Sequence, residues 1–248
     1  MGFLKNIFSK KQSFEPIDLS ILKTDMHSHL IPGIDDGSKS MDETIAMLAK
    51  FKELGYKKVI TTPHIMSDFY RNTPEIILGG LNDVREELKR INLDIEIEAA
   101  AEYYFDETLF IKLKEKSFLT FAENHVLIEF SFTSVPQGYE TLFFDMLTNG
   151  YKPVIAHFER YNFLHGSVDQ ARAWRENGIY IQLNINSLIG HYGPSVKKQA
   201  EMLVDAELID FIATDCHRIE HLHILEQQLS SSIYLKKALE LPLRNHLL

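Results

Sequence analysis

Two histidines one residue apart, His27 and His29, end a short run that begins with the apolar pair Ile21-Leu22. In extended backbone, residues two apart share a face, so both imidazoles project to one side, where two neutral rings can hold one metal ion. Asp215-Cys216-His217 repeats the spacing near the other end of the chain and turns Cys216 to the opposite face. Between these pairs stand His64, Glu102, Glu129 and His157, and Asp36 lies in the glycine-flanked turn Gly33-Ile34-Asp35-Asp36-Gly37, which can aim a carboxylate inward. Five histidines and four carboxylates are more than one ion uses. One ion takes about four protein ligands, so the set points to two or three.

These residues need a scaffold that brings them together. Extended runs are expected at residues 21–25, 58–62, 94–99, 125–130, 153–157, 179–184 and 209–215. Helical spacing fills the intervals. Ser40 or Asp42 caps a helix to Leu54 with Gly55 as its stop, and Thr73-Pro74 opens another to about Ile91, weakened locally by Gly79-Gly80. Further helices are expected over 105–116, 138–149, 168–176, 194–205 and 219–241. Seven short apolar strands alternating with helices predict a parallel sheet covered by helices. The polar candidates all fall at or just beyond strand ends, and each strand except the sixth supplies at least one. In a β/α barrel those ends form one ring, whereas an open sheet would spread them along a line. The reading is a distorted seven-stranded (β/α)7 barrel with the site at the C-terminal strand ends.

Composition agrees. The chain has 248 residues, 45% hydrophobic and 25% charged, which suits one large core. Residues 1–20 read as a loose leader and 21–248 as one barrel domain. The leader has apolar and basic residues but no apolar stretch long enough for a signal peptide or spanning helix, and Asn6 stands where myristoylation wants Ser or Thr. The formal net charge is -9 with no basic cluster beyond the leader, which argues against a nucleic-acid surface. The single cysteine, Cys216, excludes an intrachain disulfide and suits a reducing cytoplasm.

His27-Ser28-His29 with Asp35-Asp36-Gly37, Thr62-Pro63-His64, Ala101-Glu102-Tyr103-Tyr104, Leu127-Ile128-Glu129, Ile155-Ala156-His157-Phe158-Glu159-Arg160-Tyr161 and Ala213-Thr214-Asp215-Cys216-His217 occur in order over most of the chain. Together they resemble the PHP (polymerase and histidinol phosphatase) superfamily. Within it the sequence is similar to the bacterial capsular and exopolysaccharide tyrosine phosphatases, and the stretch around His157 to Tyr161 is the most specific to that branch. The resemblance implies a trinuclear site. His27, His29, Glu102 and Asp215 would hold the first metal. Glu102 would bridge to a second, completed by Glu129 and His157, and Asp36, His64 and His217 would hold a third. Arg160 would face the substrate phosphate. Relatives often carry another arginine a few residues beyond the last histidine. Here Leu222 lies further on, and Arg218 directly after His217 is the candidate for a second phosphate contact. The divalent ions are manganese first, with iron, zinc or magnesium as alternatives. The implied partner is the phosphotyrosine tail of a membrane-associated bacterial tyrosine kinase, met in the cytoplasm at the inner face of the membrane.

A hydroxide held between two ions is the natural nucleophile for such a centre, attacking phosphorus in line while cations stabilise the equatorial oxygens. A tyrosine phenolate, with a pKa of about 10, leaves more easily than an alkoxide. Cysteine-dependent phosphatase chemistry needs Cys-x5-Arg, and the sixth position after Cys216 is Leu222, so that mechanism is excluded. Phe69, Tyr70, Tyr103, Tyr104 and Phe132 are expected on rim loops. Three rivals stay open: a small-molecule phosphomonoesterase such as histidinol phosphatase, a metal-dependent nuclease, and a non-catalytic module that binds a kinase tail.

Overall fold

The computed structural model describes residues 15–248. Of the leader expected over residues 1–20, residues 1–14 lie outside the described residues. From there the chain already packs: Ile17 N–H donates to the Leu229 carbonyl at 3.0 Å, and Leu19 and Leu22 are buried in a short 3-10 turn.

Strands form as β1 (Thr24–Asp25), β2 (Lys58–Thr61), β3 (His64–Ile65), β4 (Glu96–Ala99), β5 (Glu102–Tyr104), β6 (His125–Glu129), β7 (Lys152–Ile155), β8 (Tyr180–Asn184) and β9 (Phe211–Ala213). Every pairing is parallel, in the orders β1-β2-β4 and β3-β5-β6-β7-β8-β9. The seven expected strands are present as seven courses, of which the second and third are each interrupted. Pro63, which has no N–H to donate, stands at the break between β2 and β3. Ala100 N–H to Thr61 O (2.9 Å) and Glu102 N–H to Pro63 O (3.2 Å) carry the register across the gap. The interruption lets His64 and Glu102 restart as neighbours in register, directly opposite one another.

No ladder joins β1 to β9, and the barrel closes there by other means. One parallel bridge pairs Ser28 with Cys216, with His29 N–H donating to Cys216 O and Asp215 N–H to His27 O, each at 2.9 Å. Deeper in the seam the buried Asp25 carboxylate accepts from Thr214 N–H (2.8 Å) and Thr214 Oγ1 (3.0 Å). At the far end Asn245, from the C-terminal tail, donates from Nδ2 to Thr24 O (3.0 Å) and Ile212 O (2.7 Å) and accepts from Ile212 N–H (3.0 Å). One amide thus replaces the ladder bonds that the short strands cannot make.

The first two helices start where their capping residues predict. α1 (Met41–Glu53) is capped by Ser40, and α2 (Pro74–Ile91) by Thr73. Gly80 inside α2 has a packing reason: a Cβ there would lie 2.3 Å from Ile31 Cγ2, so glycine lets the helix close on the loop after His29. α3 (Glu107–Glu115), α4 (Tyr139–Thr148), α5 (Asp169–Glu176) and α7 (Pro194–Asp205) follow the expected spans, and a short α6 (Ile185–Leu188) was not expected. The last expected helix divides into α8 (Ile219–Gln228) and α9 (Ile233–Leu239), because Ser232 caps a new start.

Two cores result. Met26, Ile60, Phe121, Leu127, Val154 and Phe211 fill the barrel interior, while their strand neighbours Val59, Val126, Ile128, Ile155 and Ile212 face the helices. The interior plug confines the polar cluster to the C-terminal mouth. Replacing Asn245 with Ala leaves three buried backbone groups of Thr24 and Ile212 without partners. The expected loss is about 3 kcal/mol, from 1–3 kcal/mol per unsatisfied group with partial relaxation, read by denaturant unfolding with an unchanged m-value.

Candidate metal centre

His27 and His29 lie just past β1, and their Nε2 atoms stand 3.3 Å apart. Glu102 Oε2 is 3.3 Å from His27 Nε2 and 3.4 Å from His29 Nε2, and Asp215 Oδ1 is 3.3 and 3.5 Å from the same two atoms. His27, His29 and Asp215 thus present three donor atoms within 4.8 Å of one another, with Glu102 Oε2 beside both imidazoles.

The nitrogens that point inward are selected from behind. His27 Nδ1–H donates to Gln182 Oε1 at 3.1 Å, and the same oxygen accepts the His157 backbone N–H at 2.8 Å. His29 Nδ1–H donates to Asp35 Oδ2 at 2.8 Å, and His217 Nδ1–H donates to the Asp215 carbonyl at 3.0 Å. In each ring the Nδ1 proton is committed, so the Nε2 lone pair is left facing the cluster. Asp35 is itself held, accepting from Gly37 N–H of its own turn at 2.9 Å and from His64 N–H at the start of β3 at 3.1 Å. A Cβ on Gly37 would sit 2.3 Å from His29 O, so only glycine lets that turn lie against the histidine.

The remaining expected residues extend the cluster. Glu102 directs Oε1 to His157 Nε2 (3.1 Å) while Oε2 faces the first pair, which is the arrangement of a bridging carboxylate. Glu129 lies 3.6 Å from His157 Nε2 and 3.9 Å from His64 Nδ1. Asp36, half-exposed, has Oδ1 at 3.5 Å from both His64 Nε2 and His217 Nε2. Three groups could each hold an ion: His27, His29 and Asp215; His64, Glu102 and Glu129; and His29, Asp36, His64 and His217. All nine residues anticipated from sequence meet at this mouth. His64 sits between two of the groups, with Nδ1 toward Glu102 and Nε2 toward Asp36.

The cluster calls for cations. Burial pushes the Glu129 carboxyl well above its ordinary pKa, and the Glu102 charge pushes it the same way. Burial works against ionised Glu102 too, but His27 and His64 outweigh it and hold that carboxylate well below the usual range. His64 Nδ1 and His157 Nδ1 are buried with no hydrogen-bond partner. His64 Nδ1 is only 3.2 Å from Glu102 Oε2 yet outside hydrogen-bond geometry. A ring nitrogen facing a carboxylate without a shared proton fits a bound ion between them. Two of the residues, His157 (φ 30°) and Asp215 (φ 49°), have left-handed backbone, a departure from strand geometry found at strained functional positions.

Arg160 follows His157 on a 3-10 turn. Its Nη1 donates to Asp215 Oδ2 at 2.7 Å, and its guanidinium lies between the rings of Phe132 (4.7 Å) and Tyr192 (4.5 Å). Asn184 Nδ2 donates both to Asp215 Oδ2 (3.2 Å) and to the Tyr192 hydroxyl (3.1 Å). Arg218 is exposed, and among the described residues its guanidinium makes no hydrogen bond or ion pair. With Asp36, Lys39 and His217 it lines a cavity of about 360 Å³ beside the cluster. Cys216 is buried against Met47, and burial pushes its thiol well above the ordinary value. Tyr103, expected on the rim, is instead core: its hydroxyl accepts Leu119 N–H at 2.7 Å. Tyr70 stacks on His64 at 5.3 Å.

Gln182 and Asn184 are the contribution of the sixth strand course, β8, which offers no acid or histidine. Sequence reasoning passed over them because amides are poor metal ligands. Their signal was two amides alternating with buried apolar residues in one strand.

A family model described as capsular polysaccharide synthesis, CpsB/CapC, matches residues 23–235. The chain belongs to this family. It is 30% identical over 232 residues to the tyrosine-protein phosphatase YwqE of Bacillus subtilis (strain 168), covering 89% of this chain and 91% of that protein. It is 30% identical over 202 residues to the tyrosine-protein phosphatase CpsB of Streptococcus pneumoniae, covering 79% and 83%. In three dimensions it matches a chain from crystal structures of YwqE and CpsB, described as unique metal-dependent tyrosine phosphatases. The TM-score is 0.75 with 29% identity, covering 90% of this chain and 94% of that one. An amidohydrolase from Mycoplasma synoviae, at 12% identity and a TM-score of 0.53, shares the fold alone. In this CpsB/CapC chain the support behind His27 is open to test. Gln182→Leu removes the acceptor for His27 Nδ1–H, and divalent-metal affinity is expected to fall 10–100-fold, read by competition against a chromophoric chelator.

Proposed function

We propose that this protein is a metal-dependent protein-tyrosine phosphatase that acts on the phosphotyrosine tail of a membrane-associated tyrosine kinase of capsule or exopolysaccharide synthesis. The observation that carries the reading is that Glu102 and Asp215 each place a carboxylate oxygen within 3.5 Å of both His27 Nε2 and His29 Nε2, with Arg160 anchored on the second oxygen of Asp215. Asp215 thereby joins the metal cluster to the phosphate-binding cation. In this reading His27, His29, Glu102 and Asp215 hold one ion. Glu102, Glu129 and His157 hold a second, and Asp36, His64 and His217 a third. The donor set of imidazole and carboxylate without thiolate suits manganese, iron, zinc or magnesium. Divalent ions held there would supply Lewis acidity toward a phosphoryl oxygen and lower the pKa of a coordinated water.

The chain's own residues do the rest. Arg160 keeps one N–H on Asp215 and has others for the phosphoryl oxygens, and the flanking rings of Phe132 and Tyr192 prevent it from swinging aside. Gln182 and Asp35 hold the two central imidazoles in one tautomer through the reaction. Cys216 takes no part, because it is buried and protonated and no arginine stands at position 222. The kinase tail would be met at the inner face of the membrane in the cytoplasm; among the described residues no helix is long and apolar enough to cross a membrane. The net charge of -9 speaks against a nuclease.

Phosphate release by metal-loaded protein from a phosphotyrosine peptide, histidinol phosphate and single-stranded DNA tests the reading. Turnover of the peptide is expected, lost on chelation and in His27→Ala. Arg160→Ala is expected to lower kcat/KM on the order of 10²–10³-fold, the usual cost of one oxyanion-stabilising group. Preference for histidinol phosphate would keep the centre and overturn the substrate. Peptide binding without turnover in metal-loaded protein would favour the non-catalytic module.

A further inference from the structure

The residues that follow β3 form a finger at the barrel mouth. Met66 and Tyr70 close it by mutual backbone bonds, Met66 N–H to Tyr70 O at 2.9 Å and Tyr70 N–H to Met66 O at 3.1 Å. Side chains brace its base: Asp106 Oδ2 accepts Ser67 N–H at 2.8 Å, and Arg71 Nε donates to Ser67 O at 2.8 Å. Asn72 Nδ2 donates to His64 O (2.8 Å) and Ile34 O (3.0 Å), tying the finger to the metal cluster. Tyr70 lies flat on the His64 ring with 12° between the planes. At the tip stands Phe69, 73% exposed, more than any other large apolar side chain among the described residues.

A large aromatic held in water on a rigid support costs hydration free energy and has no packing reason in the chain itself. Most other exposed large apolar residues lie on outer helix faces or near the chain ends. Phe69 is on a mouth loop, and Val135, beyond β6, is its counterpart two strands along the sheet. A substrate larger than the phosphate and its aryl ring must cross this rim to reach the cluster. We infer that Phe69 is a docking residue for the peptide that flanks the phosphotyrosine, a specificity element outside the reacting centre. The inference rests on the proposed phosphatase function. Because hydrogen bonds already order the finger, binding does not have to immobilise it, and a rigid exposed aromatic is the type of side chain that concentrates binding energy at an interface.

The test compares wild type with Phe69→Ser, and with Phe144→Ser as a control on the outer face of α4, where Phe144 is 66% exposed. Metal-loaded protein is assayed on a phosphotyrosine peptide and on phenyl phosphate, and titrated with the same peptide carrying a non-hydrolysable phosphonate. Phe69→Ser is expected to raise peptide KM and phosphonate-peptide Kd about tenfold. The kcat for the peptide, kcat/KM for phenyl phosphate, and all values for Phe144→Ser are expected to stay as in wild type. A peptide KM and Kd within twofold of wild type, or an equal loss on phenyl phosphate, overturns the docking role while the phosphatase stands. If wild type turns over neither substrate, the proposed function fails. The Kd arm then decides the finger by itself: weaker binding by Phe69→Ser supports it, and equal or absent binding removes it.

Discussion

Four carboxylates and five imidazoles share one end of a closed barrel, and the repulsion among those carboxylates is the constraint to which the rest of the architecture answers. Glu102 and Glu129 approach the same histidines from neighbouring strands, and burial raises the cost of ionising both. In a low-dielectric pocket like charges so placed either retain protons or take up cations. Much of the surrounding construction serves the second outcome. Asp35, Gln182 and the Asp215 carbonyl commit the Nδ1 protons of His29, His27 and His217, so the lone pairs that face the carboxylates are available for ions.

The same constraint shapes the fold. A fully laddered barrel would carry strand geometry through the mouth, with side chains alternating between faces. Instead two strand courses break and restart, and His157 and Asp215 take left-handed backbone. These departures bring donors from separate strands to within 3.5 Å of one another. The ladder lost at the seam is offset by Asp25 and Asn245, polar groups spent on closure rather than on chemistry. Below the mouth the interior is apolar, so the site is open at one end only.

Arg160 adds a fixed cation to the cluster. Its bond to Asp215 neutralises one oxygen of a carboxylate whose other oxygen faces the imidazoles, and its aromatic flanks fix the plane of the guanidinium. Asn184 connects that clamp to the same carboxylate through Tyr192. The guanidinium and the imidazole cluster therefore share one support, the Asp215 carboxylate.

From the sequence alone came the residue types and their order. The period of apolar residues determined a strand–helix alternation, capping residues set the starts of α1 and α2, and histidines and carboxylates at successive strand ends marked the mouth. These features are local: each depends on spacing within a few residues. Tertiary structure decided what depends on contacts between distant segments. Gln182 and Asn184 gained their roles only when β8 came to lie beside β7 and β9. Tyr103 turned into the core because its hydroxyl found Leu119 N–H, while Tyr192, on a loop without a motif, came to lie over Arg160. Asn245 became the closure of the barrel because β1 and β9 are too short to pair, a shortage that emerges only when both strands have to meet. Ligands that must be acids or histidines are legible in a sequence. The neutral groups that orient them are not, because an amide or a phenol acquires its function from the neighbour it meets.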